Sequence, residues 1–215
     1  MGGCAYIYPS GRMLFPMILS LVHTKGGVGK TTSSVFIACA AAAGGRAVTL
    51  LDADPQGSAS SWADRAAAAG TPLPFPVVPV SAADLAATAA RCPLGGLVVI
   101  DTPPGTASVI DAAIDAADLV LIPSGAAPAD VDRVWPTLDL TTHRATAILL
   151  TGVDMRTALA TAVPAHLRGA GAPVLHAVVR RRQAILESFG RSPDRLWDYL
   201  DVWAEVSAAM SEASA

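Results

Sequence analysis

Read for hydrophobicity alone, the chain alternates short, almost unbroken apolar runs with longer stretches at helical spacing. The apolar runs at 17–22, 47–51, 76–80, 97–101, 118–122, 146–151 and 173–176 predict strands. Four to eight apolar residues without polar alternation mark a strand buried on both faces. Between them, 31–43, 58–69, 81–90, 107–116, 130–140, 155–168 and 182–189 predict helices. A strand–helix–strand crossover brings the chain back in the same direction, so the expected fold class is α/β, a mostly parallel sheet with helices on both faces. Ligands of such sheets bind beyond the carboxyl ends of the strands. The last stretch, 194–210, is amphipathic. Leu196, Tyr199, Leu200, Trp203 and Val206 fall on one face, and Asp198, Asp201 and Glu205 lie on the other. There is no internal repeat or long linker, so 17–215 is expected to be a single domain and 1–16 an N-terminal extension.

Composition narrows the classes. Apolar residues make up 52% of the 215 and aromatics only 5%. Much of the apolar content is alanine, which favours helices and close helix–sheet packing. Cys4, Cys39 and Cys92 show no metal or redox spacing and suit a reducing cytoplasm. No segment reaches the roughly 18 apolar residues of a membrane span, and the acidic face of the last helix opposes docking on an anionic membrane. The expectation is a cytoplasmic protein with no membrane partner. The net charge of −3 is unevenly spread. Between Arg156 and Arg195 seven arginines face only Glu187 and Asp194, centred on Arg180, Arg181 and Arg182. A basic stretch on an acidic protein suits DNA as a partner, and it also suits a merely solvated face.

The chemistry concentrates at the strand ends. Of fifteen basic residues only Lys25 and Lys30 are lysines, and both lie in Lys25-Gly26-Gly27-Val28-Gly29-Lys30-Thr31-Thr32. A lysine is a compact point charge, which a glycine loop around a phosphate accommodates better than an arginine fork. The stretch fits the phosphate-loop spacing except that its usual first glycine is missing, and it stands between a strand and a helix as that motif requires. Gly26, Gly27, Val28, Gly29, Lys30, Thr31 and Thr32 are therefore expected to hold the phosphates of a nucleotide. Lys30 would reach the β- and γ-phosphates, and the Thr31 hydroxyl would ligate Mg²⁺. The second strand runs into Asp52-Ala53-Asp54-Pro55-Gln56-Gly57 and the fourth into Asp101-Thr102-Pro103-Pro104-Gly105. Carboxylates so placed suit a metal or an attacking water, although Asp, Pro and Gly equally suit a turn with a helix N-cap.

These strings together resemble the ParA/MinD group of deviant Walker A ATPases. The resemblance extends over nearly the whole chain after Met17 and is looser after Thr151, while residues 1–16 match nothing in the family. It implies that Lys25 reaches across a dimer interface to the nucleotide of the other subunit. It also implies that Asp54 positions the hydrolytic water and that Asp52 and Asp101 support Mg²⁺ beside Thr31. The relative with an intersubunit iron–sulfur cluster needs cysteines that are absent after the acidic strands. Guanine-reading N-K-x-D is also absent; Thr151-Gly152-Val153-Asp154 is a near miss. ATP with Mg²⁺ is the expected cofactor, with the base pocket unassigned. The implied function is a small ParA-type partition ATPase, nucleoid-associated. It dimerises on ATP, binds nonspecific DNA and answers to a centromere-binding ParB-like partner. A MinD-like positioning ATPase and a metabolic phosphate-transferring enzyme of the same fold are the alternatives.

Overall fold

A computed structural model describes residues 15–213. The expected extension therefore lies outside the described residues except for its last two. Six strands form one sheet in the order β3-β2-β4-β1-β5-β6, and every pairing is parallel. The strands are β1 (Met17–Leu21), β2 (Val48–Asp52), β3 (Val77–Pro79), β4 (Leu97–Asp101), β5 (Leu119–Ser124) and β6 (Thr146–Leu150). The helices are α1 (Lys30–Ala43), α2 (Ser58–Ala68), α3 (Leu85–Ala89), α4 (Ala107–Ala116), α5 (Pro128–Val131), α6 (Val134–Leu140), α7 (Leu159–Gly169), α8 (Gln183–Leu186) and α9 (Tyr199–Ala213).

Successive strand residues point to opposite faces, so each apolar run feeds two cores. Leu19, Leu21, Leu50, Val99, Leu121 and Leu149 pack with α1, α2 and α9. Leu51, Val98, Ile100, Val120, Ile122 and Ile148 pack with α3, α4, α6 and α7 on the other face. Phe36 of α1 stacks on Tyr199 of α9 with ring centroids 4.8 Å apart. Serine joins the core at β1 because Ser20 Oγ donates to the Ala113 carbonyl at 2.7 Å.

Four expected elements come out differently. The segment 173–176 forms only an isolated bridge from Val174 to Ile148, with a second bridge from Arg180 to Val153. The backbone N–H groups of His176 and Ala177 turn instead to the Glu205 carboxylate, 2.8–2.9 Å away on α9. Those donors are no longer free to extend a sheet ladder. The single helix expected over 130–140 is broken into α5 and α6. The restart places Pro136 in the first turn of α6, where a missing N–H costs nothing. The helix expected over 182–189 shrinks to one turn, 183–186. The last helix begins at Tyr199, just after Trp197, which adopts φ 51°.

Candidate functional site

The loop between β1 and α1 lies beyond the carboxyl end of β1, flanked by the ends of β4 and β5. Gly29 caps α1 with φ 90° and Gly27 has φ 75°, a region that glycine enters at no steric cost. Lys30 is buried, and its Nζ donates to the carbonyls of His23 at 3.1 Å and Lys25 at 3.0 Å. The ammonium thus bridges the base of the loop, within reach of an anion held there. Burial lowers its pKa, with Asp101 and Asp54 acting in the opposite sense.

Lys25 is placed quite differently. Its side chain is 41% exposed and forms an ion pair with Asp130 on α5, at the rim of the loop. Asp130 packs so closely on Gly125 that a methyl group there would collide with its Oδ2. His23, at the foot of the loop, is fully buried. Its Nδ1 accepts the Lys25 N–H at 3.0 Å, which puts the proton on Nε2, a buried atom without a hydrogen-bond partner among the described residues. Burial, then the charge of Lys30, pushes the His23 pKa down to about 4.

Asp101 is fully buried at the end of β4. It accepts hydrogen bonds from Thr31 Oγ1 at 2.7 Å and Ser34 Oγ at 3.0 Å. Burial pushes its pKa up to about 7, against those hydrogen bonds and Lys30, with Asp52 adding to the rise. A carboxylate so costly to charge, in contact with a threonine hydroxyl, is a fitting neighbour for a hard divalent cation. Such a cation would hold it ionised. Among the described residues no group of three or more His, Cys, Asp or Glu is placed to hold a metal. Asp52 is buried and held by the Ser60 N–H at 2.8 Å and hydroxyl at 2.7 Å. Asp54 is half-buried and accepts the Gln56 N–H at 2.9 Å, which makes it part of a turn as well as a candidate base. Against the loop lies the segment after Asp101. A methyl group on Gly26 would lie 3.7 Å from Pro104, and one on Gly105 would lie 3.8 Å from the Thr24 carbonyl.

The other end of the site escapes sequence reasoning. A cavity of about 310 Å³ opens beside the loop and runs from Lys25 and Gly29 to Val179, Ile185 and Tyr199. Arg180, Arg181 and Arg182 line it as well. Distance along the chain therefore does not separate the arginine segment from the phosphate loop. Nor are all three arginines free. Arg180 pairs with Asp198 at 3.2 Å and Arg182 with the same carboxylate at 3.4 Å. Thr151, the first residue of the near-miss guanine string, donates to the Val28 carbonyl at 2.9 Å and anchors the loop. These residues come from segments some 150 positions apart, and no local spacing marks them.

A glycine loop capping a helix after the first strand of a parallel sheet, with buried Lys30 inside it and Thr31 on Asp101, defines a P-loop nucleotide-binding protein. A model of the CobQ/CobB/MinD/ParA nucleotide binding domain matches residues 19–193. The chain is 40% identical over 179 residues to a maintenance of carboxysome distribution protein A from Gloeobacter kilaueensis, covering 79% of each. It is 33% identical over 213 residues to the chromosome-partitioning ATPase Soj of Thermus thermophilus, covering 81% of this chain and 86% of that one. Its fold matches the septum site-determining protein MinD of Pyrococcus horikoshii with a TM-score of 0.73 at 18% identity, over 93% of this chain and 99% of the other. The chain belongs to the ParA/MinD family of deviant Walker A ATPases.

Proposed function

We propose that this ATPase dimerises on ATP·Mg²⁺, binds DNA without sequence preference and uses hydrolysis to distribute a cargo along it. The observation that carries the reading is the division of labour between the two lysines. Lys30 is buried within its own loop, whereas Lys25 presents a half-exposed ammonium at the rim, where a second subunit can be met. Asp54 orients the attacking water and Asp101 and Asp52 stand behind the metal. The working place is the nucleoid in the cytoplasm. No helix of the described residues is long and apolar enough to cross a membrane. The cargo of a partition ATPase is a plasmid or chromosome bearing a centromere-binding ParB-like partner. The carboxysome relative supports a protein body as an equal candidate.

With two of three arginines engaged by Asp198, Arg181 is the member of the segment most available to phosphate. Its backbone N–H is tied to the Val153 carbonyl at 2.9 Å, which fixes where its side chain starts. The test is hydrolysis and mobility shift on random duplex DNA, with ATP and with ADP, at several salt concentrations. ATP-dependent shifting is expected, and Arg181→Ala should flatten the salt dependence by about 0.9 in log–log slope for each phosphate left without its arginine. A second cavity, about 580 Å³, lies on Asp52, Asp54, Ser60 and Val80. It supports the metabolic reading, in which a small acid receives phosphate there. Absence of DNA binding in any nucleotide state, with phosphate transferred to a small acid, would establish that reading instead.

A further inference from the structure

Asp198 is 7% exposed and sits in the short link between the arginine segment and α9. It holds the cavity's far wall together. One carboxylate oxygen accepts the Arg180 backbone N–H at 3.0 Å, and the group also meets the Arg180 Nε at 3.2 Å and the Arg182 guanidinium at 3.4 Å. The residue before it, Trp197, has φ 51°, which is strained for a bulky side chain. The Trp197 ring lies under the Arg182 guanidinium at 4.6 Å and near that of Arg195 at 5.5 Å. The residue after it, Tyr199, donates to or accepts from Ser33 Oγ at 3.0 Å, on the first turn of α1. Trp197-Asp198-Tyr199 thus fastens the arginine wall to the helix that carries the phosphate loop. Strain of this kind persists only where the surroundings over-determine it.

We propose that Asp198 is the positioning residue of the base end of the nucleotide cavity, holding Arg180 and Arg182 so that the Arg182 guanidinium, backed by Trp197, forms the wall on which the base lies. This rests on the reading that the cavity takes ATP. A planar guanidinium fixed by a carboxylate and stacked on an indole keeps a flat surface at low entropic cost, and flat surfaces of this kind suit aromatic bases. Without the carboxylate the two arginines repel each other, and the wall loses its shape while the phosphate loop, held by its own hydrogen bonds, keeps its own.

The discriminating measurement compares two ligands that share phosphates and differ in the base. ATP and inorganic tripolyphosphate are titrated calorimetrically, with Mg²⁺, into the parent chain, Asp198→Asn and Asp198→Glu. Asp198→Asn should weaken ATP by about ten-fold or more, the scale of removing one charge-assisted hydrogen bond. It should leave tripolyphosphate within about two-fold, and Asp198→Glu should recover part of the ATP affinity. Equal loss of both ligands, or loss of neither, overturns the assignment. Failure of the parent to bind ATP would instead overturn the reading of the cavity itself. If Asp198→Asn does not fold, Arg182→Gln must show the same selective loss of ATP, and unchanged ATP affinity in that variant refutes the proposal.

Discussion

Lys30 and Lys25 are five residues apart, and burial and partners separate what they can do. The buried ammonium is satisfied by two carbonyls of its own loop. Lys30→Ala removes a charge-assisted hydrogen bond to phosphate and is expected to weaken ATP by about 1.5–3 kcal/mol in calorimetry. Unchanged affinity would take the phosphates away from this loop. His23 and Asp101 carry opposite pH dependences, since the folded pKa of Asp101 is raised to about 7. The His23 pKa falls from the ordinary 6.5 to about 4 on folding, so the unfolded chain takes the proton more readily. The stabilisation is complete above about pH 6.5 and is lost as pH falls toward 4, a contribution on the order of 3 kcal/mol. In denaturation of nucleotide-free protein, stability at pH 7 minus stability at pH 4 should be lower by about this amount in His23→Gln than in the parent, the Asp101 contribution being common to both, and an unchanged difference would refute it. The two lysines were legible because lysine is so scarce here. The role of His23 was not, since nothing in its position marks a histidine that will be sealed beneath the loop.

At the scale of elements, the central strands were legible because Leu, Ile and Val fill both faces of each. The edge was not. Val174 and Leu175 read as strand, yet Glu205, about thirty residues on, takes the neighbouring N–H groups. Helix–strand competition settled at such a distance leaves no local sign, and the same holds for Asp198 on the arginine segment. The break between α5 and α6 was closer to the surface of the sequence, since Pro136 favours a helix start nearby. Glu205→Ala leaves two backbone donors without their carboxylate. It is expected to cost about 1–3 kcal/mol of stability, read from the midpoint of urea unfolding. No change in the midpoint would mean that water replaces the carboxylate there.

At the scale of the whole molecule, the sheet order places the ends of β1, β4 and β2 side by side, so that three motifs spread over eighty residues become one site. That convergence follows from parallel crossovers and was readable from the alternation of runs. The far end of the cavity was not, because it is assembled from the turn after β6, the arginine segment and the start of α9, which meet only on folding. Arg180 to Arg182 show the same limit from the other side. As a string they read as a free basic patch, and in the fold two of them serve Asp198. In the function proposed above, nucleotide turns the site of one chain into a site shared by two, through Lys25. Light scattering on the parent and on Lys25→Ala, each with ADP and with a slowly hydrolysed ATP analogue, tests this most directly. The parent should double its mass only with the ATP analogue, and Lys25→Ala should remain at the mass of one chain. A parent that keeps one mass in both nucleotides, or a Lys25→Ala variant that dimerises as the parent does, would contradict the shared site.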